Sequence, residues 1–199
     1  MEMMNRDIKQ TRTIHTSFNA TRAEDNGQDI FIEGYFAVYG KETELWQGAY
    51  EEIAQGAFNN TLGNDIRALT NHETRLVLGR NKSGTLELKA DSHGLWGRVK
   101  INPNDTDAVN TYERVKRGDV DQCSFGFNIL AEETEWREDG TVKWIITDID
   151  LHEVSVCTFP AYEETGVQAR HAEFEKRKEQ LISERKSQIK ERLKTCLNN

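Results

Sequence analysis

Residues 122–129 read Gln122-Cys123-Ser124-Phe125-Gly126-Phe127-Asn128-Ile129, and the fold is read outward from this stretch. Successive side chains of a strand point to opposite faces, so Phe125, Phe127 and Ile129 share one face and Ser124, Gly126 and Asn128 the other. Three large apolar groups on one side can cover a core. The small polar side either faces solvent or admits the backbone of a second chain. The pattern runs on from Ser124 to Trp136, and Thr141 to Thr147 supplies a partner across Asp139-Gly140, a pair suited to a hairpin turn. A further strand, Leu151 to Thr158, ends before Pro160.

Upstream, Asp29 to Tyr39 is rich in β-branched and aromatic residues and stops at Gly40, which predicts a strand. Residues Glu51 to Leu62 read as a loop leading into a short helical turn, and Ile66 to Leu69 as a short strand running up to Asn71-His72. Thr85 to Ala90 and Leu95 to Ile101 pair across Asp91-Ser92-His93-Gly94. One helix is expected, Thr106 to Arg117: Asn104 or Asp105 caps its start, Val109, Tyr112 and Val115 share a face, and Gly118 follows it. Six or seven strands with one clear helix indicate an α+β fold or a β-barrel with helical decoration.

The 199 residues carry 26 Lys and Arg against 34 Asp and Glu, a net charge of −8. That balance argues against a broad nucleic-acid footprint, which needs an excess of cations. No apolar run approaches the roughly eighteen residues of a bilayer span, and residues 1–20 hold no apolar signal core. Cys123, Cys157 and Cys196 show no paired spacing, so neither a disulfide framework nor a zinc knuckle is expected. A reduced, intracellular, soluble protein is the expectation.

Three segments follow: a polar N-terminal arm over 1–26, a main domain over 27–167, and a charged tail over 168–199. The tail holds nine Lys/Arg against five Asp/Glu, without Gly or Pro. Phe174, Leu181, Ile182, Ile189 and Leu193 recur at roughly helical spacing, which predicts a helix with a thin apolar stripe.

Five histidines are present. His15 lies in the arm, His171 in the tail, His93 in a turn, and His152 near the start of a strand. His72 stands at the end of a short apolar segment, where a sheet can hold the ring while leaving it accessible, as a general base requires. Ser124 opens its strand on the polar face. Glu153 sits inside an apolar strand, where a carboxylate is either solvent-facing or paired. Paired with an imidazole, it would fix the ring tautomer and stabilise the imidazolium formed when a serine is deprotonated. His152 and Glu153 face opposite ways on a regular strand, so only one can address His72. There is no HExxH, and His72, His93 and His152 lack a local ligand spacing. No metal or cofactor is therefore expected.

Seven segments occur in order: Gly34-Tyr35-Phe36-Ala37-Val38-Tyr39, Glu52-Ile53-Ala54-Gln55-Gly56-Ala57-Phe58, Asn71-His72-Glu73, Gly84-Thr85-Leu86, Gly94-Leu95, Ser124-Phe125-Gly126-Phe127, and Glu153 through Ala161. As a set this order resembles the tailed-bacteriophage (caudovirus) prohead maturation serine proteases, whose fold is similar to that of the herpesvirus capsid-assembly protease. The resemblance implies an α+β fold with a mostly antiparallel, barrel-like core and few helices, to which the charged C-terminal helix is added. It implies Ser124 as nucleophile, His72 as general base and Glu153 as third member, with His152 the alternative and Cys123 a small core residue. Backbone amides near Gly126, Arg75 and Arg80 are candidate oxyanion donors. The implied activity is a serine endopeptidase that cuts itself and the scaffold segments of the major capsid protein inside the immature capsid. Partners would be the capsid protein and further copies of the chain, with no nucleic acid and no membrane. The alternative is a capsid or scaffold component that keeps the fold without the chemistry.

Overall fold

A computed structural model describes residues 9–15, 18–22, 29–159, 171, 174–180, 182–187 and 189–190. Its strands are β1 (Gln10–His15), β2 (Asn19–Arg22), β3 (Ile30–Val38), β4 (Thr43–Trp46), β5 (Ala49–Ile53), β6 (Arg67–Thr70) and β7 (Glu73–Arg80). After them come β8 (Leu86–Ala90), β9 (Gly94–Ile101), the helix α1 (Thr106–Arg117), β10 (Gln122–Trp136) and β11 (Val142–Cys157).

Two sheets result. The larger runs β1-β10-β11-β5-β4, with β6 added to β11 and β7 to β6; the smaller runs β2-β3-β9-β8. The class is α+β and mostly strand, and among the described residues the strand order forms two open sheets and no closed barrel. The reason lies in β11. Its first part, Val142–Ile146, pairs with β5 and its last part, Glu153–Val156, with β6, both in parallel. One 16-residue strand thus carries two short neighbours on the same edge. The residues read as separate strands, 141–147 and 151–158, are one element.

The core lies between the sheets. Phe125, Phe127, Leu151, Val154 and Val156 of the larger sheet meet Ile32, Phe36, Leu95 and Val99 of the smaller, and Ala108, Tyr112 and Val115 of α1 cover one end. Phe125 touches Phe58 edge-on and stacks on Phe127 with centroids 4.9 Å apart. The helix has the expected bounds. Asp105 accepts from the amides of Asp107 and Ala108, and Gly118 (φ 80°) turns left-handed to give its amide to Arg114 and Val115.

Among the described residues of 1–26, Gln10–His15 form β1 on the edge of β10 and Asn19–Arg22 form β2 on the edge of β3. In the tail, residues 174–180, 182–187 and 189–190 have helical backbone. Phe174 is buried against Trp46 and Trp136, stacking on the latter at 5.9 Å. Apart from His171, the other tail positions, Cys196 among them, lie outside the described residues. No helix among the described residues is long and apolar enough to cross a membrane.

Phe125 is fully buried where both sheets meet. Phe125→Ala should cost about 3–5 kcal/mol of stability, read from urea denaturation; an unchanged midpoint would place the core elsewhere.

Candidate active site

His72 owes its position to a two-residue hairpin. Thr70 of β6 pairs with Glu73 of β7, leaving Asn71 and His72 as the loop, at φ 51° and 61°. Left-handed conformations at both central residues define the turn whose twist matches its strands, and the usual sequence is Asn-Gly. Asn71 fits. His72 stands where glycine would be relaxed, at a strain of about 1 kcal/mol. The turn is fastened to β11: Asn71 N donates to Val156 O (2.9 Å), and Thr158 N donates to Asn71 Oδ1 (2.9 Å).

Glu153 reaches the ring through a defect in β11. The register steps from Gly126↔Glu153 to Phe127↔Leu151 and skips His152. Without this bulge, Leu151 and Glu153 would share a face; with it, Leu151 enters the core while Glu153 turns to the opposite side beside Ser155. That side is open because residue 126 is glycine: a Cβ there would stand 2.3 Å from Glu153 Oε1.

The imidazole and carboxylate meet, with His72 Nδ1 and Glu153 Oε1 2.7 Å apart. Ser155 Oγ donates to Glu153 Oε2 at 2.7 Å, and Lys9 Nζ lies 3.3 Å from Oε1. Burial pushes the Glu153 carboxyl up, but the hydrogen bond and charge of His72, the Ser155 hydroxyl and the Lys9 charge outweigh it, so the net shift is downward. An ionised Glu153 accepts from Nδ1–H and leaves Nε2 as the basic nitrogen.

Ser124 is fully buried on this same face. It pairs with Ser155, midway between Glu153 and Cys157, which lie next to the two nitrogens of the His72 ring. Ser124 therefore stands one strand over, about 5 Å, from the part of β11 that the ring overlies. Its hydroxyl donates to Arg12 O at 2.8 Å rather than to His72. Cys123 points the other way, with Sγ 3.2 Å from Tyr35 O. His152 is half-exposed, 4.0 Å from Asp150. The two arginines considered as oxyanion donors are engaged elsewhere, Arg80 with Asp65 and Arg75 with Glu73.

Sequence reasoning missed one thiol. Cys157 Sγ lies 3.8 Å from His72 Nε2. Burial, then the Glu153 charge, pushes that thiol up to about 12, so it stays protonated at neutral pH and is a poor nucleophile. Its place two residues beyond Ser155 was the available signal. A cleft of about 440 Å3 lies nearby, lined by Asn71, Arg114, Arg117 and Thr158 among others, but it includes none of Ser124, His72 and Glu153. No cluster that could hold a metal ion occurs among the described residues.

The fold and site define an α+β, two-sheet protein with a hydroxyl, an imidazole and a carboxylate on one sheet face. The sequence matches the family model described as caudovirus prohead serine protease over residues 17–180. It is 32% identical over 160 residues to the prohead protease of Enterobacteria phage HK97, covering 77% of this chain and 66% of that protein. A solved structure, the capsid assembly protease of bacteriophage T4, is similar at 9% identity and a TM-score of 0.43, covering 76% of this chain and 99% of that one. The chain belongs to the caudovirus prohead serine protease family. It spans about two thirds of the length of its HK97 relative, 66%.

Two expectations follow. A carboxyl held below its ordinary value contributes stability that is present above the unfolded value of 4.5 and is lost as pH falls through the folded value. The wild-type chain should therefore lose stability below pH 4.5 more steeply than Glu153→Gln, measured by thermal melts across pH; parallel curves would contradict the pairing. Gly126→Ala should drive the carboxylate off the ring, visible as a changed His72 imidazole resonance in NMR, and an unchanged resonance would mean the gap is not needed.

Proposed function

We propose that the chain is a serine endopeptidase of phage prohead maturation, with Ser124 as nucleophile, His72 as general base and Glu153 as the group that orients and charges the imidazole. The observation that carries the reading is the 2.7 Å contact of His72 Nδ1 with an ionised Glu153, beside the buried Ser124 strand. The Ser124 hydroxyl turns from Arg12 O towards Nε2, which takes its proton as Oγ bonds to a peptide carbonyl carbon. The carbonyl π electrons move to oxygen and return as the C–N bond breaks, and the proton on Nε2 passes to the leaving amine. Water then attacks the ester, giving its proton to Nε2 and the acyl group a carboxylate, and Ser124 recovers its hydrogen. Catalytic hydrogen bonds often close only once substrate is bound, so the present Ser124 rotamer is compatible with this role.

The targets proposed are scaffold segments of the major capsid protein and the chain itself, cut inside the immature capsid. The tail, with its excess of basic residues from Gln168 onward, is proposed to recruit the enzyme to acidic scaffold or to a partner helix. A capsid component without chemistry is the competing outcome.

Expressing the full chain and following self-cleavage by intact mass separates these readings. Ser124→Ala and His72→Ala should each lower the rate by at least about a thousandfold while the protein stays folded. Cys157→Ala should retain cleavage. Loss in Cys157→Ala with retention in Ser124→Ala would transfer the nucleophile to the thiol, and a folded wild-type chain that never cleaves would favour the structural component.

A further inference from the structure

Strand β10 has β11 on one side and β1 on the other. The β1 pairing is antiparallel: Gln10↔Phe127, Thr11↔Gly126, Arg12↔Phe125 and Thr13↔Ser124. Residues leading up to Arg12 thus run beside the residues that follow Ser124. A substrate strand would lie the same way if its scissile carbonyl sat at the Ser124 hydroxyl. The carbonyl at that hydroxyl belongs to Arg12, 2.8 Å from Oγ. The residue just before this strand touches a second member of the site, since Lys9 Nζ is 3.3 Å from Glu153 Oε1.

The Arg12 side chain lies on the opposite face, with the guanidinium carbon 5.7 Å from the centre of the Phe127 ring. There it forms a two-pronged pair with Glu51 of β5: Nε meets Oε1, and Nη2 meets Oε2 at 2.8 Å. Glu51 is only 4% exposed, and a buried carboxylate requires a cationic partner. The planar fork of an arginine fits it in two hydrogen bonds, and a lysine would fit as a point charge. By contrast, Thr11 in the same strand buries a hydroxyl that finds no partner among the described residues. Register and the Arg12 side chain hold β1 here.

We propose that β1 occupies the binding site of an extended peptide substrate, and that Glu51 selects arginine or lysine at the residue contributing the scissile carbonyl. This rests on the reading of Ser124 as nucleophile. In the intact chain the arm competes with substrate for its own site.

The test measures kcat/KM of the full chain on fluorogenic peptides that carry Arg, Lys, Leu or Glu at that residue. The expected preference for Arg over Leu is on the order of 100-fold, the scale of a buried charge pair that loses one partner. Glu51→Gln should collapse the Arg-to-Leu ratio towards one, Glu51→Lys should favour Glu, and Arg12→Ala should speed cleavage in trans by weakening the competitor. Should the Glu51 variants fail to fold, calorimetric binding of the Arg and Leu peptides to Ser124→Ala gives the same ratio without catalysis. Ser124-dependent cleavage with a ratio indifferent to Glu51, or slower cleavage in Arg12→Ala, would make β1 a structural strand and overturn the proposal alone. Absence of Ser124-dependent cleavage for every peptide would overturn the protease reading and the proposal together.

Discussion

The hydrogen bond between His72 and Glu153 is the constraint from which the rest of the site follows. Neither residue can reach the other from regular secondary structure. The imidazole stands on a turn whose backbone prefers glycine, and the carboxylate leaves its strand through a bulge. Each distortion costs free energy, and the fold holds both by hydrogen bonds around them: Asn71 fastens the turn to β11, and Ser155 holds the second carboxylate oxygen. The parallel pairing of β6 with β11 delivers the turn to the end of β11, next to the strand that bears Ser124.

Burial sets the chemical character of the face. Ser124, Glu153 and Cys157 are all nearly inaccessible, so any charge among them acts through little water. Glu153 remains ionised because an imidazole, a hydroxyl and an ammonium group surround it. Burial, and then the same carboxylate, raise the Cys157 thiol, an effect that the backbone hydrogen bond with Asn71 offsets only in part. One negative charge therefore orients the imidazole of His72 and adds to the burial that suppresses the Cys157 thiol. A hydroxyl is less exposed to that suppression, since it enters the reaction by passing its proton to the base rather than by standing as a free anion.

Much of this was legible in the chain. The helix over 106–117 was readable from its caps, the strand beginning near residue 30 from its β-branched and aromatic content, and the apolar face of Phe125 and Phe127 from alternation. The expectation that Ser124, His72 and Glu153 form one site came from the resemblance and not from spacing, because they lie on three different segments. What stayed hidden was non-local. Parallel pairing of β5 and β6 on β11 leaves no local signature. The break at Asp148 to Asp150 imitates a strand end although β11 continues through it. The bulge did leave a trace: Leu151, Val154 and Val156 are all core residues, which a period of two cannot satisfy without one extra residue. Positive φ at His72 went unread because the second position lacks the glycine that announces such a turn. Glu51 appeared as part of a loop, and only the β5 pairing shows where its carboxylate points.

The proposed role of β1 bears on how such a site is controlled. Exchanging one edge strand for another replaces main-chain hydrogen bonds by equivalent ones, so the balance is set by concentration and by the few side chains that differ. A tethered strand acts at a local concentration in the millimolar range, set by its linker. A free peptide at micromolar concentration competes poorly against it even when its contacts are identical. Inside a closed shell, where the chain is proposed to act, a substrate at a concentration comparable with the tether would compete evenly. On this proposal Glu51 decides which strands qualify, because an incoming peptide without a basic side chain would forgo the two-pronged pair with a buried carboxylate. Selectivity and restraint would rest on the same ion pair, and weakening it would loosen both.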